Sequence, residues 1–199
     1  ILVDGDVVCY RAACSPTLAY DGKRPPTEHE THKNLDKFME QIFDGITGWA
    51  TPEVKYEVFL TGSGNFRYDY AVTADYKGNR KDTVRPEYLS SVREKMKSKY
   101  NAVVSEGEEA DDLLAIRATE LGAGNFVLAS TDKDMLQIEG THWNITRSEI
   151  IEVGAFEGLR FFYSQIITGD RADNIIGING IGPKKVEKLL ADCKTEADL

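Results

Sequence analysis

Residues 106–134, EGEEADDLLAIRATELGAGNFVLASTDKD, decide how the rest of the chain is read. Glu106, Glu108, Glu109, Asp111 and Asp112 stand at the start of a predicted helix over 108–121. Asp132 and Asp134 follow the apolar run 126–129, which has the composition of a strand inside a parallel sheet. Carboxylates crowded this closely repel one another and cost stability unless cations neutralise them. Hard oxygen ligands suit Mg²⁺ or Mn²⁺ rather than zinc or copper. On a helix Glu109 and Asp112 share a face, whereas Asp111 lies about 200° round from Glu109. All three can face one ion only if Glu109 sits in the turn before the helix proper.

Working outward, residues 1–3 read as a short buried strand running into Asp4-Gly5-Asp6. Asp4, just past a strand's carboxyl end, is assigned to a site, and Asp6 to the N-cap of the VVCYRAAC helix. Residues 15–33, with Pro16, Pro25 and Pro26, are expected to form a polar surface excursion. His29 and His32 within it read as solvated rather than zinc-binding. Over 34–49 the stripe Leu35, Phe38, Met39, Ile42, Phe43 and Ile46 predicts a packing helix. Residues 56–60 form a second strand and 61–65 a flexible turn, without the Gly-Lys-Ser/Thr ending of a P-loop. Pro86 opens a helix to Tyr100, residues 101–104 make a strand, and 142–156 a hairpin. Strands and helices alternating at this interval predict an α/β fold with a mainly parallel central sheet flanked by helices.

Composition narrows the class. A chain of 199 residues, 41% hydrophobic and 29% charged, can bury one good core. No apolar run nears the roughly 20 residues of a spanning helix, and no signal-peptide pattern opens the chain. Cys9, Cys14 and Cys193 contain no C-x-x-C pair, which suits a reduced, cytoplasmic protein without a membrane partner. Ile1 in place of a start Met, and an end at Leu199 just past a helix, read as a segment of a longer chain.

The net charge of −9 argues at first against nucleic acid, but the charge is segregated. Lys77, Arg80, Lys81, Arg85, Arg93, Lys95, Lys97 and Lys99 fall together against Asp82, Glu87 and Glu94. Just before and within that segment, FRYDYAVTADYKGNRKD interleaves Arg67, Tyr70, Tyr76, Lys77 and Arg80, as stacking on bases with phosphate contacts requires. An ordinary solvated basic loop accounts for that composition equally well. The second informative passage is TGDRADNIIGINGIGPKKVEKLL, 168–190. Asp170 and Asp173, three apart, can share one side of a turn. Gly177, Gly180 and Gly182 then punctuate a hairpin ahead of Pro183, Lys184 and Lys185, leaving backbone amides open to a phosphate.

VDGD, DYKGNR, EEADDLLA, STDKDMLQ and TGDRADNIIGINGIGPKKVEKLL, in this order and spanning nearly the whole chain, resemble the 5′-nuclease superfamily. Its members are flap endonucleases, bacteriophage 5′–3′ exonucleases and the 5′-nuclease domains of bacterial repair polymerases. The likeness is strongest to the phage members. It implies a PIN-like catalytic domain over 1–164, with a short basic arch at about 73–100, and a helix-hairpin-helix region over 165–199 that is cut short. It implies metal-dependent exonuclease or flap endonuclease activity on 5′ ends, flaps and duplex DNA in replication or repair, including RNA primer removal from RNA–DNA hybrids. A polymerase or single-strand-binding protein would be a partner, in a bacterial cell or phage-infected host.

Carried over residue by residue, the resemblance makes Asp4, Glu109, Asp111, Asp112, Asp132, Asp134, Asp170 and Asp173 ligands for two or three Mg²⁺ or Mn²⁺ ions. Asp4, Asp111 and Asp132 would join Lys77 and Arg80 as catalytic residues, the last two on the scissile phosphate. Arg67, Tyr76, Lys77, Arg80, Lys81, Gly177, Gly180, Gly182, Lys184 and Lys185 would contact DNA, with K⁺ at the hairpin. One position departs from the family. Leu60 and Thr61 stand where members carry an Asp after the second strand, so a water replaces that ligand or the first ion is held more weakly. A non-catalytic structure-specific DNA binder and an RNA-directed PIN-type nuclease are the alternatives.

Overall fold

In the computed structural model, residues 1–15, 24–48, 54–81 and 83–199 are described. The apolar runs become one six-stranded sheet built around a fully buried central strand, β1 (Leu2–Asp4). β2 (Glu57–Ser63) pairs with β1 in parallel, and β3 (Val103–Glu106) adds outside β2. On the other side β4 (Val127–Ser130) pairs with β1, and β5 (Gly140–Asn144) lies outside β4, both parallel. β6 (Glu149–Val153) closes that edge antiparallel to β5, because the short link between them allows only a hairpin. The chain therefore winds outward from β1 one way and then the other. The reversal falls between β1 and β4, where open α/β sheets form their ligand crevice.

Side-chain alternation along the strands feeds two cores. Val3, Val58 and Leu60 face the helices α1 (Gly5–Cys14) and α2 (Glu28–Thr47), with Val8, Leu35 and Met39 beneath them. Past the single-turn α3 (Arg67–Tyr70), α4 (Leu89–Tyr100) adds Val92 and Met96 to the same core. Leu2, Phe59 and Leu128 point the other way, onto Leu114 and Ala118 of α5 (Ala110–Leu121). Each fully buried Leu or Val contributes roughly 1.5–3 kcal/mol. Gly5 permits the turn from β1 into α1, since a Cβ there would sit 2.6 Å from the Phe59 carbonyl oxygen.

Several boundaries differ from the sequence reading. α2 starts at Glu28, because Thr27 and Glu30 form a capping box, so 28–33 are helical and not part of a surface excursion. His32 lies on that helix with Nε2 2.8 Å from Ser91 Oγ. The excursion reading of 16–23 falls outside the described residues, and α2 ends at Thr47, two residues before the expected Trp49, with Gly48 as its left-handed C-cap. β2 runs on to Ser63, so 61–63 are strand rather than flexible turn. The second half of the span 73–100, expected to be an arch, is instead α4, packed against α1 and α2. Among the described residues of 71–88 the regular structure is one 3-10 turn, Gly78–Arg80.

After β6, α6 (Ala155–Thr168) leads into the two-stranded ribbon β7 (Gly169–Asp170) and β8 (Ile175–Ile176), then α7 (Pro183–Leu189). The expected domain border at 164/165 falls inside α6, which packs on the 3-10 turn Lys133–Gln137 and on α7. Gly169, at φ 69°, and Gly177 let the ribbon close, as a Cβ on Gly177 would lie 2.1 Å from the Thr168 carbonyl carbon. Among the described residues no helix is long and apolar enough to cross a membrane. Cys9, Cys14 and Cys193 are free.

Candidate active site

Asp4 ends β1, is 2% exposed, and serves as the N-cap of α1 by accepting from the Val7 amide at 3.0 Å. This corrects the sequence assignment of the cap to Asp6. Asp6 instead accepts from the Thr61 amide at 2.8 Å and pairs with Arg93 of α4. The other Asp4 oxygen accepts from Ser130 Oγ, at the end of β4, at 2.7 Å. Ser130 Oγ also accepts from the Asp132 amide at 2.9 Å, which ties the turn after β4 to the end of β1. Asp132 in turn caps the following 3-10 turn through the Asp134 amide, 2.8 Å away.

Asp111, in the first turn of α5, points at the same crevice. Burial pushes its carboxyl far up, and the charges of Asp4, Asp132 and Glu109 push it further. Burial also raises Asp4, against the hydrogen bonds of Ser130 and Val7, and it raises Asp132. Among the described residues no cation contacts Asp4, Asp111 or Asp132. These three carboxyls at the reversal point of the sheet have no direct cation partner among the described residues, and only the more distant charges of Lys77 and Lys133 act on Asp111 and Asp132.

The remaining carboxylates are nearby but already matched. Glu109 is the extended N-cap residue of α5, so it lies before the helix as the geometric limit required. Its Oε1 accepts from Lys77 Nζ at 2.6 Å and its Oε2 from Tyr76 Oη at 2.8 Å. Asp173 lies 3.0 Å from the same Tyr76 hydroxyl and pairs with Arg80 at 2.9 Å. Lys77 adopts the left-handed conformation, φ 51°, and its amide is held by the Asp173 carbonyl at 2.9 Å. Asp134 and Asp170 share Lys133, at 2.7 and 2.5 Å, and Gln165 of α6 also donates to Asp134 at 2.5 Å. Among the described residues no three His, Cys, Asp or Glu side chains are gathered tightly enough to hold an ion as they stand. The protein's own cations already engage part of the acidic set.

Several residues therefore behave differently from their sequence reading. Asp112 is already paired: both its oxygens accept from Arg67, at 2.7 Å, and one also accepts from the Glu109 amide. The hydrogen bond to Arg67 holds its carboxyl below the usual range. Arg67, read as a DNA contact, is thus engaged inside the site. Tyr76, read as a stacking residue, is 7% exposed, and its hydroxyl is fixed between Glu109 and Asp173. Tyr68 and Tyr70, at 61% and 77%, are the exposed aromatics of this segment. Thr61, where an acid was expected, uses Oγ1 to accept the Ala110 amide at 2.9 Å and so caps α5. Lys81 is exposed beside Asp75, while Lys185 Nζ reaches back to the Gly180 carbonyl at 2.7 Å. Gly182 is the N-cap of α7, and Lys184 is exposed.

Ser130, Lys133 and Gln165 were missed in the sequence. A hydroxyl directly after the apolar run, and a lysine between two aspartates, were the available signals for the first two. Gln165 sits in an apolar helix run and carries none.

No family model matches the chain. It is 34% identical over 140 residues to the flap endonuclease Xni of Shewanella amazonensis, covering 63% of this chain and 54% of that protein. It is 31% identical over 211 residues to DNA polymerase I of Bacillus caldotenax, covering 96% of this chain and 23% of the polymerase. The fold matches the bacteriophage T5 flap endonuclease, solved with DNA and metal ions, at a TM-score of 0.70 and 20% identity. That match covers 99% of this chain and 76% of the phage protein. The chain belongs to the 5′-nuclease (flap endonuclease) family. As a 5′-nuclease homologue it spans about half the length of the Xni proteins it matches and less than a quarter of the polymerases. Its helix-flanked sheet is that of the family.

Proposed function

We propose that the chain is a divalent-metal-dependent nuclease that hydrolyses phosphodiester bonds at 5′ ends of flapped or duplex DNA, in replication or repair. The observation that carries this reading is the convergence of Asp4, Asp111 and Asp132, none directly paired with a cation among the described residues, at the reversal point of the sheet. An all-oxygen, charge-dense donor set suits Mg²⁺ or Mn²⁺. Asp4, Asp111 and Asp132, with Glu109, would hold the first ion, and Asp134, Asp170 and Asp173 the second. Bound there, divalent ions supply a deprotonated water and neutralise charge on the leaving oxygen.

The chain's own residues position and stabilise. Ser130 keeps Asp4 ionised against its burial and locks the two strand ends together. Tyr76 holds Glu109 and Asp173 at a common point. Lys77 and Arg80, paired with those carboxylates in the DNA-free chain, are placed to turn onto a phosphate and stabilise its developing charge. Exposed Tyr68 and Tyr70, with Lys81, suit stacking and phosphate contact along a single strand.

In this reading, the residues ahead of α6 form a PIN-like catalytic unit. The α6–ribbon–α7 segment is a helix-hairpin-helix that would grip duplex backbone near Gly177, Gly180 and Gly182, with Lys184, Lys185 and a K⁺ ion. RNA–DNA hybrids would be further substrates, and a polymerase or single-strand-binding protein a partner, in a bacterial or phage-infected cytoplasm.

Cleavage of a 5′-flap, a recessed 5′ end and an RNA–DNA hybrid, in Mg²⁺ and in chelator, tests this. Flap cleavage in Mg²⁺ and none in chelator is expected. Asp132→Ala should lose cleavage by orders of magnitude yet still bind duplex. Turnover unchanged in that variant, or wild-type binding without cleavage, overturns the assignment.

A further inference from the structure

The acidic set is divided into a group with no direct cation partner among the described residues and a group that carries its own. Lys133 Nζ donates to Asp170 Oδ2 at 2.5 Å and to Asp134 Oδ1 at 2.7 Å, bridging two carboxylates from different elements. Asp170 is 9% exposed, and its other oxygen accepts the Ala172 amide at 2.6 Å. Burial would push this carboxyl up, but the Lys133 and Ala172 hydrogen bonds hold it below the usual range. Gln165 fixes Asp134 from the α6 side, so the lysine sits in a prepared cradle. Asp4, Asp111 and Asp132 have no such partner among the described residues.

We propose that Lys133 is a built-in cation that holds the Asp134–Asp170 pair in place of a second divalent ion, so that the DNA-free protein takes one ion tightly and a second only when Lys133 is drawn away. This deepens the proposed function and rests on its reading of these carboxylates as metal ligands. A unit charge within contact distance of both carboxylates opposes an incoming dication directly. The Lys133 side chain is 55% exposed on a flexible stem, so leaving the cradle requires no rearrangement of the core. A phosphodiester brought into the crevice offers the ammonium an alternative anion, which couples occupancy of the second position to the arrival of substrate. Lys133 is thus a positioning residue that acts through Asp134 and Asp170.

Titration calorimetry of the DNA-free protein with MnCl₂ tests this on wild type, Lys133→Met and Lys133→Arg, with folding checked by circular dichroism. Wild type should show one tight ion and a weak second phase. Lys133→Met should tighten the second phase at least about tenfold, and Lys133→Arg should restore the wild-type isotherm. Lys133→Gln removes the same charge if the Met variant fails to fold. An unchanged second phase in the neutral variants, beside a normal first ion, overturns the inference and leaves the nuclease reading intact. A wild-type protein that binds no Mn²⁺ overturns both.

Discussion

Ser130 Oγ donates to the Asp4 carboxylate at 2.7 Å while accepting the Asp132 amide at 2.9 Å, so one hydroxyl joins the ends of two parallel strands. Asp4 is almost wholly buried, and this bond is the largest influence keeping its carboxyl from rising further. Ser130→Ala should therefore weaken divalent-ion binding near neutral pH and recover as pH rises, because more alkaline conditions restore the ionised Asp4. The loss of stability should be about 1 kcal/mol. Mn²⁺ affinity measured between pH 6 and 8.5 checks it; a parallel pH dependence in wild type and variant would count against this role.

Tyr76 separates two roles cleanly. Its ring is buried and its hydroxyl lies between Glu109 and Asp173. Tyr76→Phe keeps the ring and removes only that contact. The rate of single-turnover cleavage should fall, with DNA affinity in Ca²⁺ unchanged. A weakened DNA affinity with normal cleavage would restore the stacking reading.

Asp111 is the residue most burdened by its neighbours. Burial raises its carboxyl first, and Asp4, Asp132 and Glu109 add to that. A carboxyl whose folded pKa is raised destabilises the fold most above that pKa, and the cost shrinks as pH falls from the folded value toward the unfolded one. In chelator at pH 8, Asp111→Asn should unfold at a higher temperature than wild type, by about 1–2 kcal/mol of stability. Metal-dependent cleavage should be lost. Thermal melts with and without Mg²⁺ decide the matter, since the advantage must shrink when the ion is present.

His142 gives an acid-side dependence of opposite sign. It is 4% exposed, and its Nε2–H donates to the Ile138 carbonyl at 2.8 Å. Burial lowers its pKa below the ordinary histidine value, against the raising effect of that hydrogen bond. Its stabilising effect is complete above the unfolded pKa, near 6.5, and is lost as pH falls through the lower folded value. Urea melts from pH 7.5 to 4.5 should show His142→Gln lacking this component of the wild-type decline. Identical slopes would refute the assignment.

Much of the protein was legible along the chain. The apolar runs at 1–3, 56–60 and 126–129 name strands because parallel strands buried on both faces need unbroken apolar residues. Asp4 and Asp132 at or just past strand ends follow from local signals of the same kind, whereas Glu109, read within a helix over 108–121, is its N-cap because α5 starts at Ala110. Caps and boundaries were less legible. Asp4 and Asp6 are equally good N-cap residues by type, and only the packing of α4, which brings Arg93 onto Asp6, separates them.

What the sequence by itself determined is the set of acids, their places at element ends, and the α/β order that gathers them at one edge. Periodicity and residue type suffice for that, because both act over a few neighbouring positions. Only the tertiary structure decided which acids lack a direct cation partner among the described residues and which are matched. Arg67 lies 45 positions from Asp112, Lys133 lies 37 from Asp170, and Tyr76 lies 97 from Asp173. Such pairs form only when separate elements are packed together, and charge compensation depends on spatial distance rather than on order along the chain.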